Sequence, residues 1–492
     1  MRASARRALS TARPARASDV SLDLPRVVAG QPTRATHPHV IASAADLTPG
    51  VSRAEYAARR AALARAMPPH SAAIFAAAPA LRWPGTAIPA GKYRQDADFA
   101  YYTGVTQPDC VAVVERGRTE DDVRYALIVP KRCERHAQWD GERIDARAGE
   151  TVFGADAAYE ADERAAAYAT EAVRNARGGV FVDLDKVDED ASVVHRALGA
   201  RARGGEGGDG VRPVRGMSHR LRWRKSDAEL ALIKNSVDLD VHAFVKAFQT
   251  SRAGATEADV MAQHEAACRI GGADRLAYPS VVGSGAGACV VHYHQNDKML
   301  EDGDLLLMDA GCELNGYVSD ITRTWPISGR WTQAQLDVYS VVLEAHDACL
   351  RAARVDGETS LMDIHRLSID VLANGLAKLL PNTSARALIR SGEYAKYYPH
   401  SVGHWLGADT HDVPSVAVST PFERNVAFTI EPGLYFSPHD LDVPADLRGI
   451  GVRIEDDCVV DANGAVVALS AALPTDPDAV AALASSTFFR PV

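Results

Sequence analysis

The sequence predicts an α+β protein in two parts, a mixed α/β N-terminal domain followed by a second domain whose strands gather into one sheet. Three observations carry this. The chain has 492 residues, room for two to four domains at roughly 100–200 residues each. Helix-period and strand-period segments alternate in both halves. Between them lies RARGGEGGDGVRP, whose glycines and closing proline read as a linker, with the boundary near Gly210.

In order, the apolar spacing of RAEYAARRAALARAM predicts a helix over Arg53–Met67, ended by Pro68-Pro69. Short apolar runs bounded by Gly, Pro or charge predict strands at Ala72–Ala77, Phe99–Thr103, Cys110–Val114 and Tyr125–Val129. A helix near Ala161–Arg177, a strand at Gly179–Leu184 and a helix near Ala191–Arg201 complete the first domain. In the second half, Ser226 with Glu229 three residues on has capping-box spacing and opens a helix over Ser226–Phe248. Another helix follows at Thr256–Ile270, then strands near Ser280–Gly283 and Cys289–His292 and a hairpin over Asp304–Thr324. Helices across Thr332–Arg354 and Leu361–Leu380, with strands around Val426–Phe436 and Gly451–Val460, finish the pattern.

Fifty-four basic against 64 acidic residues give a net charge of −10, which argues against a nucleic-acid platform. No apolar run reaches the roughly 18 residues of a membrane span. Seven scattered cysteines with no C-x-x-C pair read as buried thiols in a reducing compartment. The first 18 residues carry Arg2, Arg6, Arg7, Arg13 and Arg16 among hydroxyl residues, and the first acid is Asp19. Arg-rich, Ser-rich and acid-free is the composition of an organellar transit peptide. We therefore expect a leader over 1–36 and a mitochondrial location, with chloroplast or cytoplasm as alternatives.

The chemistry concentrates in LLLMDAGCELNGYVSDITRTWP. Asn315-Gly316 between alternating runs is a hairpin signal. A two-residue turn there sets Leu314 opposite Tyr317, Gly311 opposite Asp320 and Asp309 opposite Thr322. Alternation along a strand then puts Asp309 and Asp320 on one face, on a diagonal spacing of roughly 7–8 Å that two carboxylates could close around an ion. Glu431 ends the apolar run in VAFTIEPGLY, and Glu455 sits in GVRIEDD. HSVGHWLG supplies His400 and His404, THD supplies His411, and His292 lies upstream. Four acids and one neutral imidazole balance two divalent ions, and so oxygen-rich a set favours Mn²⁺ over a thiolate-type zinc site.

The ordered series DAG…YVSDITRTWP, HSVGHWLG, TIEPGLY and GVRIEDD resembles the aminopeptidase P group of the pita-bread metallopeptidases. GKYRQDADFAYYTGVTQPD looks like that group's N-terminal domain. The resemblance implies an N-terminal domain over 50–203 and a pita-bread catalytic domain over 217–475; the Gly-rich insert at 204–210, within the linker read over 204–216, departs from the family's pattern, as does the basic leader. It places five metal ligands on Asp309, Asp320, His404, Glu431 and Glu455. Glu431 would also shuttle the proton, His292, His400 and His411 would face the substrate, and Arg453 would orient carboxylates. The implied activity is hydrolysis of the first peptide bond of peptide or protein N-termini, Xaa-Pro type. The alternatives are removal of one residue from imported mitochondrial proteins and, from another class, a non-catalytic binding module. A homo-oligomer, dimer or tetramer, is also implied.

Overall fold

The computed structural model describes residues 28–187, 192–203 and 211–486. Residues 1–18 of the basic leader and the glycine-rich stretch 204–210 lie outside the described residues.

In the first domain, Ser52 caps α1 (Arg53–Ala66) by accepting from the Glu55 amide. Then come β1 (Ser71–Ala76), α2 (Ala97–Thr103), β2 (Val111–Arg116), β3 (Val123–Val129), β4 (Ala157–Glu160), α3 (Glu163–Asn175), β5 (Gly179–Phe181), α4 (Ser192–Arg203) and β6 (Val211–Arg212). The strands make one mixed sheet in the order β4-β3-β2-β1-β5-β6. Successive side chains of β1 point to opposite faces. Ala73 and Phe75 share a core with Leu63 and Ala64 of α1, while Ala72 and Ile74 pack with Ala165, Ala169 and Val173 of α3. Val211–Arg212, within the stretch read as linker, adds the last strand of this sheet.

Phe99–Thr103 is helical rather than a strand, because Asp96 accepts from the Phe99 amide and Gly104, at φ 68°, ends the turn. Phe99 and Tyr102, three apart, are both buried by that helix.

The second domain opens with α5 (Arg215–Trp223), α6 (Asp227–Thr250) and α7 (Glu257–Ile270). The Ser226–Glu229 capping box forms at the start of α6. Next come β7 (Arg275–Leu276), β8 (Val281–Ser284), β9 (Leu305–Ala310), β10 (Cys312–Leu314), β11 (Tyr317–Val318) and β12 (Ile321–Pro326). Helices α8 (Gln333–Ala352) and α9 (Leu361–Leu379) pack through Val338, Val342 and Ala345 against Leu372, Ala373 and Leu376. The last strands are β13 (Ala427–Ile430), β14 (Gly433–Tyr435), β15 (Gly451–Arg453), β16 (Asp456–Val460) and β17 (Val466–Ala468).

Two expectations change here. Cys289–His292 is no strand: Cys289 ends a short 3₁₀ turn, and a loop comes after it. The strands also divide into four small ladders, β8-β9-β12, β11-β10-β7, β13-β16-β17 and β14-β15, instead of one sheet. The chain leaves its ladder at Gly311, at Glu431-Pro432 and at Ile454-Glu455. Pro432 has no amide to donate, so the ladder cannot continue there.

All seven cysteines are free, but Cys133 is exposed and Cys289 half-buried. Cys133 precedes a short helix, Glu134–Asp140, that buries none of its residues, so it has no core to enter. Among the described residues no helix is long and apolar enough to cross a membrane.

Candidate metal centre

The two-residue Asn315-Gly316 turn imposes the register Leu314↔Tyr317 and, beyond it, Asp309↔Thr322. Gly311 sits where the ladder breaks, and a Cβ there would meet the Ser319 carbonyl oxygen at 2.0 Å. Only glycine permits this close backbone approach, which brings Asp320 alongside Asp309. One hydroxyl links the two acids: Tyr278 bonds Asp309 Oδ1 at 2.6 Å and also Asp320 Oδ1. Glu431 and Glu455 stand at two of the breaks between small ladders, Glu431 half-buried and Glu455 buried. The Glu455 amide bonds the Thr322 carbonyl, and Thr322 Oγ1 donates to Glu455 Oε2 at 2.7 Å.

His404 joins this group with its tautomer set. Its Nδ1 lies 3.1 Å from the Trp405 carbonyl and must carry the proton. Burial lowers His404, but the Asp320 and Glu431 carboxylates raise it to about 9, so without metal Nε2 also carries a proton, 3.3 Å from Asp320 Oδ2 and 3.7 Å from Glu431 Oε1; a cation bound there would take its lone pair. Ligand atoms of Asp320, His404 and Glu455 all fall within 4.8 Å of one another. Buried Arg453 donates to Asp309 Oδ2 at 2.6 Å, to Thr322 Oγ1 at 3.1 Å and to the Tyr435 hydroxyl at 2.8 Å.

The remaining histidines rim the site. His400 Nδ1 donates to the Ser401 carbonyl, so its Nε2 accepts from Tyr435 at 2.8 Å. Burial, then the Arg453 charge, lowers His400 to about 4, so it is neutral near pH 7. The His411 ring lies 4.4 Å from that of His404. His292 is exposed in the loop after the 3₁₀ turn, near enough for its charge to bear on His400 and His411. Tyr278 and Thr322 are site residues that sequence reasoning missed. Tyr278 is far from both aspartates along the chain and belongs to no spacing pattern; Tyr435, also missed, lies within TIEPGLY, a motif read for its glutamate.

Four carboxylates in so small a volume cannot all stay ionised without cations. Burial first, then the neighbouring carboxylates, raises Glu455 well above the usual range. Asp309 is raised by burial and Asp320 against the opposing Arg453 charge, and Glu431 reaches about 7, mainly through burial. An oxygen-rich donor set with one imidazole, whose Nε2 proton a cation would displace, fits hard divalent ions.

These raised carboxylates give stability a pH signature. An unfolded glutamate titrates near 4.3, so between about pH 4.5 and 7 the folded metal-free protein holds a proton at Glu431 that the unfolded chain has lost. The contribution of Glu431 to the stability of the chelated protein then falls as pH rises through this window. Melting of chelated and Mn²⁺-loaded protein at pH 5, 6 and 7 checks it. The gap between them should widen with pH by several degrees; a constant or narrowing gap contradicts the account.

One other cluster among the described residues has metal-ligand spacing, Asp240, His264 and Cys268. There His264 Nε2 bonds Asp240 Oδ1 directly at 2.6 Å with both side chains sealed from solvent, which makes it a buried polar pair.

Residues 231–462 match metallopeptidase family M24, and residues 56–180 match the aminopeptidase P N-terminal domain. Arabidopsis thaliana "Intermediate cleaving peptidase 55, mitochondrial" is 34% identical over 455 residues, covering 91% of this chain and 86% of that protein. Mouse "Xaa-Pro aminopeptidase 3" is 34% identical over 477 residues, covering 94% and 92%. The crystal structure of Escherichia coli aminopeptidase P in its low-pH form superposes with a TM-score of 0.82 at 31% identity, covering 88% of this chain and 98% of that one. With its N-terminal domain and pita-bread catalytic domain, the chain belongs to the aminopeptidase P group of metallopeptidase family M24 and is a metalloaminopeptidase that uses divalent metal ions.

Proposed function

We propose that this enzyme removes the first residue of peptides or proteins with a free N-terminus, Xaa-Pro type, and that Asp309, Asp320, His404, Glu431 and Glu455 hold two divalent ions, manganese from the donor chemistry. The observation that carries this reading is the convergence of Asp320, Glu431 and Glu455 on the His404 imidazole, with Asp309 tied to Asp320 through the Tyr278 hydroxyl. Bound ions supply Lewis acidity and make a water ionisable near neutral pH. Glu431, 3.8 Å from His400 Nδ1 and 3.7 Å from His404 Nε2, takes the proton of the attacking water and returns it to the leaving nitrogen. His292 and His411 donate to the oxyanion that develops at the scissile carbonyl. His400, fixed by Tyr435, holds the substrate beyond the cut. Arg453 fixes the carboxylate of Asp309.

A proline after the cut brings no N–H, so it needs no acceptor from the cleft, and Xaa-Pro bonds are accommodated. The second reading, removal of a single residue from imported proteins inside mitochondria, is favoured by the five leader arginines and by the names of the mitochondrial relatives. Digestion of a peptide library with Mn²⁺ present tests both. The first reading expects single residues released ahead of proline; the second expects bulky first residues released whatever the identity of the second residue. Release of dipeptides or internal fragments as first products contradicts both.

The mitochondrial location has its own check. Residues 1–18, with some of the adjoining segment, should carry a fluorescent reporter into mitochondria, and a reporter that stays cytosolic or enters only plastids refutes it. A homo-oligomer, dimer or tetramer, is supported by exposed Leu81, Trp83, Ile88 and Trp139 on the N-terminal domain. An Arg82–Asp140 ion pair at 3.3 Å ties their two segments together.

A further inference from the structure

The loop that carries His411 is held by charges the reaction scheme does not use. His411 itself is exposed, but the two residues after it are buried. Val413 has φ 44°, in the left-handed region that a β-branched side chain enters only when its surroundings impose it. Asp412 supplies the constraint. Its amide donates to the Trp405 carbonyl at 2.9 Å, its Oδ2 accepts from Lys225 Nζ at 2.9 Å, and its Oδ1 accepts from Arg222. Gly407 makes room, since a Cβ there would meet Asp412 Oδ2 at 2.3 Å.

The chain of charges continues across the molecule. Arg222 lies on α5, between the segments that match the two family domains, and its side chain is 3% exposed. Its other terminal nitrogen donates to Asp98 Oδ1 at 2.7 Å. Asp98 belongs to α2 of the N-terminal domain and also accepts from Ser218 Oγ at 2.6 Å and Lys186 Nζ at 2.8 Å. A second tie runs from the same N-terminal segment, where Arg94 donates to the Ala408 carbonyl and to Asp409 Oδ1, each at 2.8 Å. Buried ion pairs add little net stability, but they single out one geometry when every member is paired.

We propose that Arg222 and Asp412 are positioning residues that hold His411 at the cleft, so that the N-terminal domain, through Asp98, sets the placement of a substrate-side histidine. The proposal rests on the reading of His411 given above. A double-mutant cycle on the Mn²⁺-loaded full-length enzyme tests it, using Asp412→Asn, His411→Ala and the pair together. Asp412→Asn should lower kcat about 30- to 100-fold, the scale of a misplacement near 1 Å, with metal content unchanged. In the His411→Ala background the same change should cost less than about 3-fold, because the group it positions is gone. Arg222→Lys keeps the charge but loses the two-sided fork; it should cost about 10-fold alone and little without His411. It decides the question if Asp412→Asn does not fold. Losses that multiply in the double variants, or metal loss in Asp412→Asn, overturn the proposal. Parental turnover in His411→Ala also overturns it, while leaving the aminopeptidase reading intact as long as single N-terminal residues are still released.

Discussion

Asparagine in place of Asp320 should strip metal from the protein and lower turnover on the order of 10³-fold or more, since even partners one layer behind a metal cost about 10- to 100-fold. Asp320 is the acid nearest Nε2 of His404, at 3.3 Å, and its other oxygen shares the Tyr278 hydroxyl with Asp309. The substitution keeps shape and removes one charge. That charge helps to raise Asp309 and Glu455 but also pairs with the His404 imidazolium, so in the metal-free variant relief of carboxylate repulsion is set against a lost ion pair. Asp309→Asn should also lose metal and activity, but it differs in stability because buried Arg453 would lose its partner at 2.6 Å. Metal content, kcat and melting temperature of both variants check this. Two retained ions with parental turnover in both would end the assignment of these aspartates.

Acetylation of a good substrate's N-terminus should abolish hydrolysis, with a fall of at least about 10³-fold in kcat/KM, the cost of losing an interaction that orients the reacting bond. An acetylated nitrogen is an amide. It has no basic lone pair for a cation and no charge for the ring of carboxylates formed by Asp309, Asp320, Glu431 and Glu455. Free and acetylated forms of one peptide, compared by mass spectrometry of the products, decide the matter. Similar cleavage of both would exclude an exopeptidase that reads the amine.

Legibility in the sequence tracks the range of the interaction. The hairpin register from Leu314↔Tyr317 to Asp309↔Thr322 is readable because Asn315-Gly316 admits one tight turn and every pairing beyond it is counted from there. The Ser226–Glu229 cap is readable because both partners lie within one helical turn. Phe99–Thr103 misleads because its apolar run suits either a strand or a short buried helix, and the Asp96 cap lies outside the run. The strands expected around Val426–Phe436 and Gly451–Val460 are interrupted at Glu431 and Glu455, the acids that matter.

By itself the sequence determined the two-part α+β plan, the residue types that converge and the family they resemble, because motifs of local spacing carry that information. Only the tertiary structure decided how those residues are held. Tyr278 between two aspartates, Arg453 on Asp309 and the line from Asp98 through Arg222 to Asp412 join residues 31 to 190 positions apart. No periodicity spans such separations. They are set by which small ladders pack together, and by the need of each buried charge for a partner once water has been excluded.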